Sequence, residues 1–505
     1  MRRRTLLRLA ALVAAFCVST LCLGARFFKE PLAPPEQRLQ QRRDHATAPE
    51  PGRELQSSSA LTQAAVVLLC YNRPHYLETT LTSLEAVEGA GRFPVYVSQD
   101  GDHSETARVG RRHNVTLWQH PRTPLLSREQ AGHAYLAQHY KWALDRLFFE
   151  RNHSHAIVLE DDMLFSPDFF SYFEQSAWLL QADPTLWCVS SWNDNGFDDL
   201  VSDSDASRVF RTDFFPGLGW MLRRELWLEL SPRFPLEHWD HWMRLRSTSR
   251  GRDCVVPYVS RNYNIGVFGA NMQSSQYERY LKRIRFNKRP RVKLERLESV
   301  LSDAYEHEMA RLVSRASANH YTKARPSDLA SKFANSGEPV LLTYTADTFA
   351  QLAIEFRIWS VPRATHKHTA VLRYRGATFV LASARWSPYL PERLKSYFPK
   401  TATFIKGATG ESCNDACQRN TYKCASDLFE FANQVDRLSE FFSCERGFAT
   451  VTGPDIPNYV VDPSNEYAGR CLVSEGGSQC AAVHRHTQRL CPCTARGEEK
   501  VATLE

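Results

Sequence analysis

The chain has 505 residues, long for one domain, so two or three are expected. Hydrophobic residues make up 43%, ample for a sizeable core. The net charge of +7 is mild and carries no dense basic run interleaved with aromatics, so no nucleic-acid partner is expected.

Arg2, Arg3 and Arg4 precede an apolar run from about Leu9 to Leu23. The flank after it is a poor small-residue cleavage site, which favours an uncleaved signal anchor over 1–26 rather than a removed signal peptide. Arginines stay on the cytoplasmic side, so the rest of the chain is expected in a lumen, tethered to the membrane by that anchor. Residues 27–62 are rich in Pro, Gln, Arg and Glu and lack apolar periodicity, as in a flexible stem. Asn114-Val-Thr and Asn152-His-Ser are glycosylation acceptors consistent with that address.

From 63 to 300 strand and helix patterns alternate, which predicts a mainly parallel α/β sheet. Val66–Leu69 runs into Asn72 and Arg73, Phe93–Ser98 runs into Asp100, and Val115–Trp118 is read as a third strand. Helical periodicity follows over 134–150, through His139. The strand Ile157–Leu159 then ends in three carboxylates, Glu160, Asp161 and Asp162. Ligands of open α/β sheets bind outside the carboxyl ends of the strands. Three acids there repel one another unless a cation compensates them. Hard divalent ions are commonly held by one or two carboxylates plus substrate phosphates, so a nucleotide-diphosphate site is predicted. Arg73 suits a phosphate or a base, and Asp100 a base N–H or a ribose hydroxyl.

Further on, Trp192–Gly196 reads as a polar turn, and Phe214–Trp220 contains glycines that permit close backbone approach. In Trp239-Asp240-His241-Trp242, an acid stands between indoles. A desolvated carboxylate beside aromatic sugar platforms makes a better base. The alternative is a helix start, with Asp240 as cap and the tryptophans in the core. A helix and two short strands are read over 301–405, a smaller second domain. Eight cysteines crowd into 413–493, which predicts a disulfide-rich module over 406–505. Sequence does not choose among roughly a hundred pairings. A zinc site from Cys491, Cys493, His484 and His486 is disfavoured in an oxidising lumen.

The ordered motifs Asn72-Arg73, Ser98-Gln-Asp100, His139-Tyr-Lys-Trp, Leu159-Glu-Asp-Asp162, Trp192-Asn-Asp-Asn-Gly, Phe214–Trp220 and Trp239-Asp-x-Trp-Met-Arg244 resemble the N-acetylglucosaminyltransferase I family, over roughly 63–390. They also resemble the related O-mannose β-1,2-N-acetylglucosaminyltransferase. The resemblance implies a GT-A (nucleotide-diphospho-sugar transferase) fold, a Golgi type II membrane enzyme, UDP-GlcNAc as donor and Mn²⁺ as cofactor. It implies that Arg73, Asp100 and His139 contact the nucleotide. Glu160 and Asp161 would bind the donor's sugar and ribose, and Asp162 the metal. Asp240 would be the general base, with Trp239 beside it in the substrate site. Asn271 would belong to the loop Gly266–Met272 that closes over the donor, and Cys188 and Cys254 would be disulfide-linked. A cysteine pair that braces the first two strands in the family is absent here, and Cys70 is left without an obvious partner. Glu411-Ser-Cys-Asn-Asp-Ala-Cys417 and Cys480–Cys493 resemble the cysteine-rich tail of N-acetylglucosaminyltransferase V.

The expected function is inverting β-1,2 transfer of GlcNAc from UDP-GlcNAc to a terminal α-mannose of glycoprotein N-glycans. Transfer to O-linked mannose is the second reading, and a catalytically silent glycan-binding protein the third.

Overall fold

The computed structural model describes residues 61–495, apart from 62, 114, 123–130, 270–273, 321–324, 335 and 475–476. The expected anchor, almost all of the stem, Asn114 and Asn271 lie outside the described residues. Among the described residues no helix is long and apolar enough to cross a membrane.

The first ten strands are β1 (Ala64–Cys70), β2 (Val95–Asp100), β3 (Thr116–His120), β4 (His155–Glu160), β5 (Met163–Phe165), β6 (Leu186–Ser190), β7 (Val209–Thr212), β8 (Trp220–Arg223), β9 (Asp253–Pro257) and β10 (Asn262–Asn264). Eight form one sheet in the order β3-β2-β1-β4-β8-β6-β9-β7, and β5 pairs with β10. The half β3-β2-β1-β4 is parallel throughout. β8 then enters antiparallel to both β4 and β6, which makes the other half mixed.

β1 shows why the parallel half forms. All seven residues of Ala-Ala-Val-Val-Leu-Leu-Cys are buried. A strand covered on both faces reads as a continuous apolar run. Alternate residues serve the two layers. Val66, Leu68 and Cys70 pack with Leu77, Leu81 and Phe170, from helices Pro74–Glu85 and Phe169–Ser176. Ala65, Val67 and Leu69 face Ala137, Tyr140 and Leu144 of helix Ala131–Asp145, which continues as a π-helical turn over Arg146–Glu150. The parallel register aligns Leu69 with Glu160 and Cys70 with Gln99, so three strands end at one edge.

A second sheet holds β11 (Ser317–His320), β12 (Val340–Tyr344), β13 (Thr369–Tyr374) and β14 (Ala377–Ser383), in the order β11-β12-β14-β13. Its core residues Leu342, Phe356 and Phe379 share one cluster with Trp192, Phe197 and Tyr280 of the first part, so the two sheets are fused through a common core. A buried polar link reinforces that seam. Arg211 on β7 pairs with Asp183 at 2.9 Å and Asp253 at 2.7 Å. His366, just before β13, lies 3.1 Å from Asp253 and 2.8 Å from Glu306.

Burial opposes the charge on His366, but Asp253 and Glu306 outweigh it and raise the imidazole above its ordinary 6.5. The stabilisation is therefore fully present below pH 6.5 and is lost as pH climbs through the raised folded value. His366→Gln removes a cation that Asp253 shares with Arg211 and that Glu306 shares with Lys367, and is expected to destabilise by roughly 1–2 kcal/mol at pH 6. The loss should shrink toward pH 8. Denaturant titrations at the two pH values check this, and a pH-independent loss would refute the ionic role.

The last strands are β15 (Ala402–Lys406), β16 (Tyr422–Cys424), β17 (Phe448–Thr450), β18 (Asn458–Val460), β19 (Cys471–Val473) and β20 (Thr487–Ala495). They form a third sheet, with β20 pairing β15, β16 and β18. All eight cysteines here are bridged: Cys413–Cys491, Cys417–Cys493, Cys424–Cys480 and Cys444–Cys471. Cys491 and Cys493 are two apart on β20 and share a face, while Cys413 and Cys417 are four apart on helix Cys413–Arg419. The two pairs meet, which removes both cysteines from any zinc site. The module is anchored to the rest by a buried ion pair, Arg385–Glu430 at 2.9 Å, and by Phe431 packed on Trp386 and Phe398.

Candidate functional site

The acidic turn after β4 is clamped from two sides. Thr80, on the helix that follows β1, donates its hydroxyl to the Asp161 carbonyl at 2.7 Å and accepts from the Met163 amide at 3.0 Å. From the other side, Asn264 Nδ2 donates to Asp162 Oδ1 at 3.1 Å, and the Ile265 amide donates to the Asp162 carbonyl at 2.8 Å. Gly266 lies so close that a side-chain carbon there would overlap Asp162 Oδ2. The glycine is therefore required by proximity to the carboxylate.

Arg73 sits at the N-terminus of helix Pro74–Glu85. Its guanidinium pairs with Asp161 and, at 2.8 Å, with Asp162 Oδ2, while its other nitrogen donates to the Phe268 carbonyl at 3.2 Å. Glu160 Oε1 accepts the Tyr140 hydroxyl at 2.6 Å. Asp161 Oδ2 is buried and has no hydrogen-bond partner among the described residues. One guanidinium thus faces three carboxylates. Burial pushes Glu160 up to about 7, with the Asp162 charge adding to it. Burial likewise pushes Asp161 up to about 6, against the pull of Arg73.

The ends of β2 and β3 form the adjoining wall. Asp100 Oδ1 lies 2.8 Å from His120 Nδ1, and Oδ2 lies 3.3 Å from Arg122 Nε. A carboxylate has about four lone-pair sites, so Asp100 keeps capacity for a ligand donor beside these partners. The Arg122 guanidinium stacks on Tyr135 at 3.6 Å and on Tyr71 at 4.3 Å. His139 is buried, 2.8 Å from Ser98 Oγ and stacked on His120. Burial lowers its pKa to about 3, so it is a neutral imidazole. The Cys70 thiol, unbridged beneath this wall, is pushed up by burial, with the Asp161 charge adding to it.

Asp240 opens the short helix Trp239–Arg244. The link to the acidic turn runs through Tyr140, whose hydroxyl holds Glu160 and whose ring stacks on Trp239 at 4.1 Å. Trp239 is 4% exposed, with the Tyr140 ring at 4.1 Å and the Trp220 ring at 6.0 Å, so most of its surface is packed in the core. One expectation is corrected here. Asp240 is not made more basic by desolvation. Burial does oppose its charge, but Arg244, with Nη1 at 3.0 Å, and then His241 outweigh burial and hold the carboxyl below its ordinary range.

Arg244 is itself held by the Phe215 carbonyl at 3.2 Å and by the Phe214 ring at 4.8 Å. On the same ring lies Arg363 of the second sheet's region, which pairs with Asp194 at 3.0 Å. The Trp192–Gly196 and Phe214–Trp220 motifs thus build the wall behind Asp240. Cys188 and Cys254 are disulfide-bonded between neighbouring strands β6 and β9.

His120, Arg122, Tyr140, Thr80 and Asn264 were missed from the sequence. His120 had a usable signal, since it ends a predicted strand just as Asp100 does. Tyr140 stands inside a quoted motif. Thr80 and Asn264 act only through tertiary contact.

The GNT-I family matches residues 29–392, which stops short of β15. The alpha-1,3-mannosyl-glycoprotein 2-beta-N-acetylglucosaminyltransferase of Arabidopsis thaliana is 37% identical over 344 residues, covering 63% of this chain and 73% of that protein. Among solved structures, the mannosyltransferase PcManGT of Pyrobaculum calidifontis with GDP-Man and Mn²⁺ aligns at TM-score 0.29 and 16% identity, over 54% of this chain and 79% of its own. A Mycobacterium tuberculosis glucosyl-3-phosphoglycerate synthase with Mg²⁺ and UDP aligns at 0.22 and 18%, over 34% and 59%. Those two scores are too low to inform this chain, and the weight rests on the sequence matches, which cover most of it. The chain belongs to the GNT-I family.

Proposed function

We propose that this chain transfers GlcNAc from UDP-GlcNAc in β-1,2 linkage to a terminal α-mannose of N-glycans, from a Golgi membrane anchor. The observation that carries the reading is the triad Glu160, Asp161 and Asp162 at a strand end, faced by a single guanidinium. The reaction named for the Arabidopsis thaliana relative supports the transferred sugar, its linkage and a mannosyl-glycoprotein acceptor.

Among the described residues no three acidic, histidine or cysteine side chains are gathered around a metal site, so a divalent cation would rest on the Asp161–Asp162 end of this triad and on the diphosphate. Asp161 Oδ2 is an orphaned buried oxygen, and Gly266 leaves space beside Asp162. Asp162, with Asp161 behind it, would hold the ion, and an all-oxygen donor set suits Mn²⁺ or Mg²⁺. When bound, it supplies positive charge against the diphosphate. Arg73 adds fixed positive charge at the same edge. Asp100 and the neutral His139 lie where strand ends meet the nucleotide. Asp240 takes the proton from the attacking 2-hydroxyl. Only one catalytic carboxylate is needed, since the departing diphosphate requires no proton.

The cation fit has a pH signature. A carboxyl with a raised folded pKa stays protonated where the unfolded chain has ionised. Stability therefore falls as pH rises above the ordinary 4.5 and 3.8, and the loss is complete above about 7. A bound cation offsets that loss, so Mn²⁺ should raise Tm more at pH 7.5 than at pH 5. An equal shift at both would remove the triad as the binding site.

The functional test offers UDP-GlcNAc and Mn²⁺ with a mannose-terminated N-glycan and, separately, an O-mannosyl peptide, each with and without chelator. Chelator-sensitive transfer to the N-glycan supports the reading. Transfer to the O-mannosyl peptide alone overturns the acceptor. No transfer from folded protein overturns the enzyme reading.

A further inference from the structure

Lys288, Arg289, Arg291 and Lys293 stand exposed along one segment, whose Val292 and Leu294 turn inward. These charges read as scattered in the sequence. In the structure the segment runs on through Glu295 and Arg296 into a cleft of about 410 Å³. Arg208, Arg311 and Arg315 line the same cleft. Arg311 and Arg315 are four apart at the end of helix Ser302–Ser314, and neither makes an ion pair with an acid among the described residues. The Arg291–Glu88 and Arg296–Glu308 pairs are mostly exposed. Exposed pairs of this kind contribute little and exchange readily for another anion. Eight cations thus stand along the segment and cleft with five acids, Glu88, Asp205, Glu295, Glu298 and Glu308. The cleft borders β7, the far edge of the first sheet from β3, so it is separate from the acidic turn.

We propose that this track binds a linear acidic glycan, a chain carrying sulfate or carboxylate groups at intervals. Arginine forks match such groups in bidentate geometry. The cleft floor is aromatic: Arg208 lies 4.2 Å over the Tyr258 ring, and Phe210 meets that ring edge-on. A guanidinium above an aromatic face suits a sugar ring that bears an anion. Glu295 and Glu308 accept hydroxyl hydrogens, which a glycan supplies, whereas an acidic peptide meets them with like charge.

The test titrates the full-length chain in detergent with a fluorescent heparin octasaccharide over a salt series. The variant K288Q/R289Q/R311Q/R315Q should weaken binding by about tenfold or more and flatten its salt dependence. Its Tm and GlcNAc transfer should stay unchanged. A control neutralised at exposed Arg108, Arg393, Lys400 and Lys423 should bind as the parent does. Equal loss in the control, no binding at low salt, or equally tight binding of polyglutamate of the same charge would overturn the proposal.

Discussion

Asp162→Ala will lower GlcNAc transfer by at least about a hundredfold and abolish its response to Mn²⁺. The side chain touches Arg73 through one oxygen and Asn264 through the other, and Gly266 leaves room beside it. Its removal takes away the carboxylate proposed to hold the cation and loosens the guanidinium. It also relieves the neighbours, because the Asp162 charge adds to the rise of Glu160 and Asp161. The variant should therefore be no less stable than the parent in chelator at pH 7.5, while losing the Tm gain from Mn²⁺. This combination separates a metal ligand from a structural residue. Initial rates over a Mn²⁺ series, with melting curves, measure both. Full activity would remove Asp162 from the site, and a collapse in Tm with chelator present would make its role structural.

The parallel half of the sheet was legible because its physics is local. Val66–Leu69 and Ile157–Leu159 are buried on both faces, so each reads as an apolar run, and the first polar residue marks the ligand edge. The other half was harder. β7 and β8 are four residues long, and their places are fixed by antiparallel partners remote in sequence. Arg211 shows the limit well: it is buried in a strand because Asp183 and Asp253 meet it there, and nothing local announces them. The cysteine pairing was similarly beyond the sequence, although the shared faces of Cys413 with Cys417 and of Cys491 with Cys493 narrow it once the elements are known. At Asp240 the sequence does carry a local signal. Arg244 stands four residues on in the same motif, and a helix over Trp239–Arg244 brings the two together. The indoles alone point to a raised basicity, where the structure has a lowered one.

That lowering shapes the second large effect. Asp240→Asn should reduce kcat by about a hundredfold to ten-thousandfold while leaving UDP binding nearly intact. The amide keeps the size of the carboxylate, and its oxygen can still accept from Arg244 Nη1, so the helix start is preserved. What it loses is the ability to take a proton. Because Arg244 and His241 hold Asp240 below 3.8, the parent base is ionised throughout neutral pH. Any acid limb of the parent's rate between pH 5 and 7 then belongs to a group other than Asp240. Arg244→Gln tests the same assignment from the other side. With the guanidinium gone, burial is less opposed at Asp240 and its pKa rises, so Asp240 adds a protonation of its own to the acid side of the profile and the rate falls off more steeply with acid than in the parent. Single-turnover rates across pH, with UDP affinity measured separately, distinguish the outcomes. Retained turnover in Asp240→Asn would eliminate it as the base. Lost UDP binding in that variant would assign the Trp239–Arg244 helix to donor-site architecture, and an acid side no steeper in Arg244→Gln would detach Arg244 from the proton transfer.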